Sequence, residues 1–280
     1  MKKTTEMQET GNNTVATGQR LTVRAGNDSL SFSIAAPDGN SVRYEPYGVK
    51  NGIAMAANLR EALKVLPFSL EQRRRATLIA DTPPVFIPAD EFDEDSAAAL
   101  YTATITGQEG SAVLCARIPE LNVVAAYAVS KDMKLVMEDN FEDVRFTHTC
   151  AAVLKALHRR NFSAGAGRRL FCHFHGMRLD VYAFRQNRMR FANSYEVPSP
   201  RDAVYFILHV WQQLAFDRLK DELHITGSTA DEDMLVRELH RYVRNVCRIS
   251  AKAEFNRSPI ADIEGMPYDL MAYYHNSLKG

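Results

Sequence analysis

The stretch Leu170-Phe171-Cys172-His173-Phe174-His175-Gly176-Met177-Arg178-Leu179-Asp180-Val181-Tyr182-Ala183 sets the reading of the whole chain. Leu170, Cys172 and Phe174 alternate with Phe171 and His173, a turn falls at His175-Gly176-Met177, and Leu179, Val181 and Ala183 alternate with Asp180 and Tyr182. A period of two marks strands with one face turned to a core, so the stretch reads as a hairpin. Gln186-Asn187 turns the chain again into Met189-Arg190-Phe191, which extends the hairpin to a three-stranded meander.

The same order occurs once before. Leu21 and Val23 alternate with Thr22 and Arg24; Gly26-Asn27-Asp28 makes a turn; Leu30, Phe32 and Ile34 alternate with Ser29, Ser31 and Ser33. Pro37-Asp38-Gly39-Asn40 has the residues of a second turn, and Val42 with Tyr44 begins a third strand. After each meander the pattern predicts helix, strand and helix. In the first half a helix runs over 51–66 and stops at Pro67, a strand over 76–80, a strand over 85–87 and a helix from Asp93-Glu94-Asp95-Ser96 to about Ile105. Strands follow at 112–117, 122–129 and 134–138, and a helix at 147–158. In the second half Ser199-Pro200-Arg201-Asp202 opens a helix reaching about Leu219, a strand over 223–226 ends at Gly227, and Thr229-Ala230-Asp231-Glu232 reads as a capping box. The helix it opens carries Leu235, Val236, Leu239, Tyr242, Val243 and Val246; a strand near 248–251 and a helix near 267–278 complete the chain. A repeat this long is no solenoid. The expectation is an α/β protein of two similar domains related by internal duplication, 20–160 and 168–280, behind a polar, disordered tail over 1–19.

Composition narrows the function. Of 280 residues 46% are hydrophobic, which excludes a mostly disordered chain, and 34 basic side chains balance 34 acidic ones, which argues against a strongly basic nucleic-acid binder. No apolar run has the ~18 residues of a membrane span, and no apolar stretch follows Lys2-Lys3 as in a secretory signal. Cys115, Cys150, Cys172 and Cys247 have no paired spacing, so reduced thiols and a cytoplasmic location are expected.

A meander, a crossover helix, a strand and a helix, present twice, resemble the actin-like ATPase superfamily with its duplicated ribonuclease-H-like domains. From Arg20 onward the chain also resembles a Bacteroidetes family known only as a domain of unknown function. That likeness lies in Pro84-Val85-Phe86-Ile87-Pro88-Ala89-Asp90-Glu91-Phe92, in the opening meander and in the strand-glycine-helix unit around Gly227. The resemblance implies that the first hairpin of each domain holds phosphate in its turn, with an aspartate two residues before the glycine serving the metal. Here those turns read Arg24-Ala25-Gly26 and Phe174-His175-Gly176; both aspartates are absent, and Asp28 and Asp180 stand out of register. The adenosine-binding turn of the superfamily carries two adjacent glycines, and Ile225-Thr226-Gly227-Ser228 supplies one. A divalent ion needs its hard ligands, and phosphoryl transfer depends on the ion, so the resemblance implies lost hydrolysis. No catalytic or metal-binding residue is assigned. If ATP binds, with or without magnesium, Gly26, Asn27, Gly176, Gly227, Ser228 and Thr229 are the expected contacts, with Arg24 beside them.

Other chemistry is weaker. His173 and His175 would share one strand face and could bind a transition metal, but a third ligand at useful spacing is missing. Cys172 and His175 would face opposite sides of the strand, which spoils a nucleophile–base pair. A two-metal nuclease needs converging carboxylates; the first strands carry none, and Asp81, Asp90 and Glu91 do not recreate the set. The basic clusters Arg73-Arg74-Arg75, His158-Arg159-Arg160 and Arg168-Arg169 read as solvated surface, the last two flanking a connecting loop over 161–167. Met266, Tyr268, Met271, Tyr273 and Tyr274 suit a terminal helix docked on its own domain. The expectation is a non-catalytic scaffold or interaction module with an unidentified protein partner, no cofactor, no membrane and no nucleic acid. An ATP-binding protein or residual phosphotransferase is the alternative, and a nucleic-acid-associated factor the second.

Overall fold

The computed structural model describes residues 19–37, 39, 41–67, 74–163, 167–185, 188–256, 258 and 260–278. The tail before Gln19, Asp38 and Asn40 of the second turn, Arg73, residues 164–166 of the connecting loop and the Gln186-Asn187 turn lie outside the described residues. The described residues divide into two compact units, one made of those up to 79 with 131–147, the other of those over 80–130 and from 148 onward.

In the first unit β1 (Leu21–Ala25) pairs antiparallel with β2 (Leu30–Ala35), and β2 with β3 (Val42–Tyr47). Helix α1 (Met55–Val65) buries Ala56, Leu59, Ala62 and Leu63, and the buried Asn58 side chain fixes its entry by accepting from Lys50 N–H at 2.8 Å and donating to Lys50 C=O at 3.2 Å. Strand β4 (Arg75–Ala80) then leads into the second unit. There β5 (Val85–Pro88), helix α2 (Glu94–Thr104), β6 (Ser111–Ile118) and β7 (Val123–Ser130) form an antiparallel sheet of order β5-β7-β6 with one helix. Asp93 caps α2 by accepting from Ser96 N–H at 3.1 Å. The chain returns to the first unit with helix α3 (Lys131–Asn140) and strand β8 (Asp143–His148).

Here the structure corrects the sequence. The strand expected over 134–138 is part of α3, because Met133, Val136 and Met137 recur at helical spacing and are the residues buried, while Leu135 is exposed. The edge strand β8, where no strand was expected, completes a sheet of order β3-β2-β1-β4-β8. Arg20 joins its strands: it donates to the carbonyls of Ala76 at 2.7 Å and Asp143 at 3.1 Å and pairs with the Asp143 carboxylate.

The rest of the second unit begins with α4 (Thr149–Ser163) and the meander β9 (Arg169–His175), β10 (Arg178–Arg185) and β11 (Arg188–Glu196). Helix α5 (Pro200–Gln213) has the expected capping box between Ser199 and Asp202, but ends before Leu219. Ala215 takes a left-handed conformation there, φ +50°, and the Trp211 ring folds onto Phe216 at 4.8 Å. Strand β12 (Glu222–Ser228) is followed by α6 (Glu232–His240), whose cap is Asp231 and not Thr229: its carboxylate accepts from Met234 N–H at 3.1 Å. Strand β13 (Asn245–Arg248) lies earlier than the sequence suggests, because Ser250 already caps the short helix α7 (Ala251–Glu254). Helix α8 (Tyr268–Leu278) packs on α4 and buries Tyr268, Leu270, Met271 and Tyr274, as expected of a docked terminal helix.

The sheet order β11-β10-β9-β12-β13 repeats that of the first unit: third, second, first, fourth, last. Two similar domains are therefore present. Leu170, Cys172, Phe174, Leu179 and Val181 from one face of the second sheet meet Ile207 and Trp211 of α5 and Leu235 of α6 in the apolar core. Full burial of each large aliphatic or aromatic side chain contributes about 1.5–3 kcal/mol. No helix among the described residues is long and apolar enough to cross a membrane.

Candidate functional site

The opposite face of the second sheet is also buried, yet it is charged. On β9 the face holds Phe171, His173 and His175; on β10 it holds Arg178, Asp180 and Tyr182. Antiparallel register sets His175 against Arg178, His173 against Asp180 and Phe171 against Tyr182, and places Ser194 of β11 beside Asp180. Asp81, just past β4, Thr149 at the start of α4 and Asp269 in the first turn of α8 complete the group, all within the second unit. Asp81, His173, Asp180 and Asp269 are buried.

Arg178 ties the carboxylates together. Its guanidinium pairs with Asp81 and lies 3.2 Å from Asp180 Oδ1. His175 stands between them, Nδ1 3.1 Å from Asp81 Oδ1 and Nε2 3.0 Å from Asp180 Oδ2, with Asp269 Oδ2 at 3.7 Å from Nδ1. Ser194 Oγ and Tyr182 Oη donate to Asp180 at 2.6 and 3.2 Å. Burial pulls the His175 ring toward neutrality, but the Asp81 and Asp180 carboxylates outweigh it and raise its pKa to about 9. Burial pushes the Asp180 carboxyl up, and Arg178 and His175 more than reverse this, holding it well below the usual range. His173 is driven the other way, by burial first and then by the charge on His175. Beside this group His148 is pushed down to about 4, again by burial first and then by Arg178. Its hydrogen bonds suit a neutral ring: Nδ1 accepts from Cys150 N–H at 3.0 Å, leaving Nε2–H for the Thr82 carbonyl at 2.6 Å.

Of the residues singled out in the sequence, Gly176, Gly227 and Ser228 come together. Strand β12 runs parallel to β9, with Gly227 opposite Phe174, and Gly176 N–H donates to Ser228 C=O at 3.3 Å. Gly227 has φ +86°, and a Cβ there would stand 2.1 Å from the Phe174 carbonyl oxygen, so strand packing itself demands glycine. Thr229 follows directly, partly buried. Gly26 and Asn27 belong to the other unit, where Gly26 N–H donates to Ser29 C=O at 2.8 Å. Arg24 is buried and donates to Ser29 Oγ at 3.2 Å. Asp81, Arg178, Asp180 and Asp269 were not assigned a role in the sequence. The sequence marks Asp180 as out of register beside the second turn, and Asp81 as a carboxylate that, with Asp90 and Glu91, does not make a nuclease set.

Described members of the basic clusters pair inside their own units. Arg74 pairs with Glu142 at 2.8 Å, Arg160 lies 3.8 Å from Glu254, and Arg169 pairs with Glu222 at 2.8 Å. Arg168 donates to the Leu214 and Ala215 carbonyls at 2.6 and 2.9 Å. Cys150 and Cys172 are buried, Cys115 is exposed, and all four thiols are free.

Sheets of this order, repeated, are those of the actin-like ATPase fold. A Bacteroides thetaiotaomicron protein with that fold and unknown function matches with a TM-score of 0.78 and 22% identity, over 93% of this chain and 96% of the other. The PilM-PilN type IV pilus biogenesis complex matches with a TM-score of 0.59 and 11% identity, over 93% and 98%. The chain thus has the actin-like ATPase fold. The family model described as protein of unknown function, DUF3822, matches residues 8–246, and the chain belongs to that family. Comparison with curated proteins finds no match.

Proposed function

We propose that the protein is a non-catalytic member of the actin-like fold, a scaffold or protein-interaction module. One observation carries the reading: the cations of the β9–β10 hairpin, where relatives would place phosphate, are committed to buried carboxylates. His175 and Arg178 bind Asp81 and Asp180, and Gly176 N–H is engaged by Ser228. The residues present therefore do not fit a magnesium–triphosphate: a triphosphate would have to displace these ion pairs, and the Asp81 and Asp180 carboxylates are already held by His175 and Arg178. A protein–protein role is in keeping with the fold, since a similar structure is that of a pilus biogenesis complex. The alternative, a nucleotide held at Gly176, Gly227, Ser228 and Thr229, draws on their adjacency at the end of β12.

Thermal melting with and without millimolar Mg-ATP separates the two. A ligand bound to the native state at a hundredfold excess over its Kd stabilises by about 2.7 kcal/mol, so the scaffold reading expects no shift and the alternative a rise of several degrees. Affinity capture from the source cell is expected to return a stoichiometric protein; recovery of the chain alone counts against a scaffold.

A further inference from the structure

His173 and His175 share a face of β9, and the third donor that the sequence did not offer arrives from α8. One ligand atom each from His173, His175 and Asp269 lie within 4.8 Å of one another. His173 Nδ1 is buried without a hydrogen bond, whereas the His175 ring nitrogens are held by the Asp81 and Asp180 carboxylates at 3.1 and 3.0 Å. A buried ring nitrogen left without a partner is costly, and a bound ion would satisfy it. We propose that His173, His175 and Asp269 bind a divalent first-row transition metal, which ties the C-terminal helix to the central strand of the second sheet.

Geometry favours an ion. Donors bound to one tetrahedral zinc at ~2.0–2.2 Å stand roughly 3.3–3.6 Å apart. His175 Nδ1 and Asp269 Oδ2 are already 3.7 Å apart, so a small rotamer adjustment closes the site. Imidazole and carboxylate together select zinc and its neighbours over magnesium or calcium. Metal binding displaces the proton that His175 otherwise holds between Asp81 and Asp180. Arg178 does not compete for the ligands, because it is bonded to Asp81 and Asp180. Three protein ligands leave one tetrahedral position for water or a partner's group.

The test uses the full chain, with zinc as probe. Protein purified from zinc-supplemented cells and dialysed is expected to retain about one zinc per chain by elemental analysis. Stripped of metal by a chelator, it should regain several degrees of melting temperature on adding micromolar zinc, and cobalt(II) should give the intense visible bands of a four-coordinate site. Asp269→Asn keeps the side-chain volume and should weaken zinc binding at least tenfold. His224→Gln, altering a buried histidine that contacts Glu222, should leave it unchanged. A folded Asp269→Asn protein with undiminished zinc overturns the proposal. So does a wild-type chain that neither carries zinc nor gains melting temperature from it, a result that stands even if the variant does not fold.

Discussion

Gly227 lies in a left-handed conformation with its Cα pressed against the Phe174 backbone, and no side chain fits there. Gly227→Ala is expected to cost at least about 2 kcal/mol, read as a lower urea midpoint with an unchanged slope. The same substitution at Gly52, also at positive φ but with open space around the Cβ position, should cost less. His148 gives a pH signature. As a base whose pKa falls to about 4 in the fold, it adds its full stabilisation above the unfolded value of about 6.5. That stabilisation, roughly 3 kcal/mol, drains away as pH drops from 6.5 toward 4, because the unfolded chain then binds the proton and the folded one does not. Equilibrium unfolding at stepped pH is expected to show this loss in the wild type and a shallower one in His148→Gln. An equal slope in both proteins would sink the assignment.

The helix α3 carries the clearest test at the level of the element. On a strand Leu135 and Met137 would share a face; on the helix Met137 is buried and Leu135 is exposed. Met137→Ala should cost about 2–4 kcal/mol and Leu135→Ser less than about 0.5 kcal/mol in denaturant unfolding. The reason α3 escaped the sequence is physical. Leu135-Val136-Met137 is a short apolar run, and periodicity alone does not separate a strand from a buried helical turn of that length. Strand β8 escaped because its side chains are mostly half-buried, so Val144 and Phe146 stand out weakly against Asp143 and Arg145. The meanders were legible because each strand has an apolar face, and a period of two states it directly. The shared face of His173 and His175 was legible for the same reason. What period cannot reveal is that the second face is buried too: Asp81 and Asp269 come from distant segments, and only cross-strand register brings Arg178 opposite His175.

At the scale of the molecule, the charged face sets how far the chain can be cut. A fragment beginning at Arg168 keeps β9 to β13 and α8, but lacks Asp81, Thr149 and the α4 helix on which α8 packs. Arg178 and His175 would then lose a buried counter-charge, a deficit of about 3–5 kcal/mol when one partner of a buried pair is removed. Fragment 168–280 is expected to melt without a cooperative transition by near-ultraviolet circular dichroism, whereas the full chain melts sharply. A cooperative fragment would mean that the ion pairs to Asp81 contribute little.

The segment that closes the first sheet is made late. Strand β8 lies next to β4 in space, but the ribosome must first deliver residues 81–142. At the usual pace of synthesis this takes on the order of seconds, and meanwhile the nascent β4 presents an open rim of unpaired amides and carbonyls. During that interval a chaperone, or pairing with another nascent chain, competes for the place that β8 later takes.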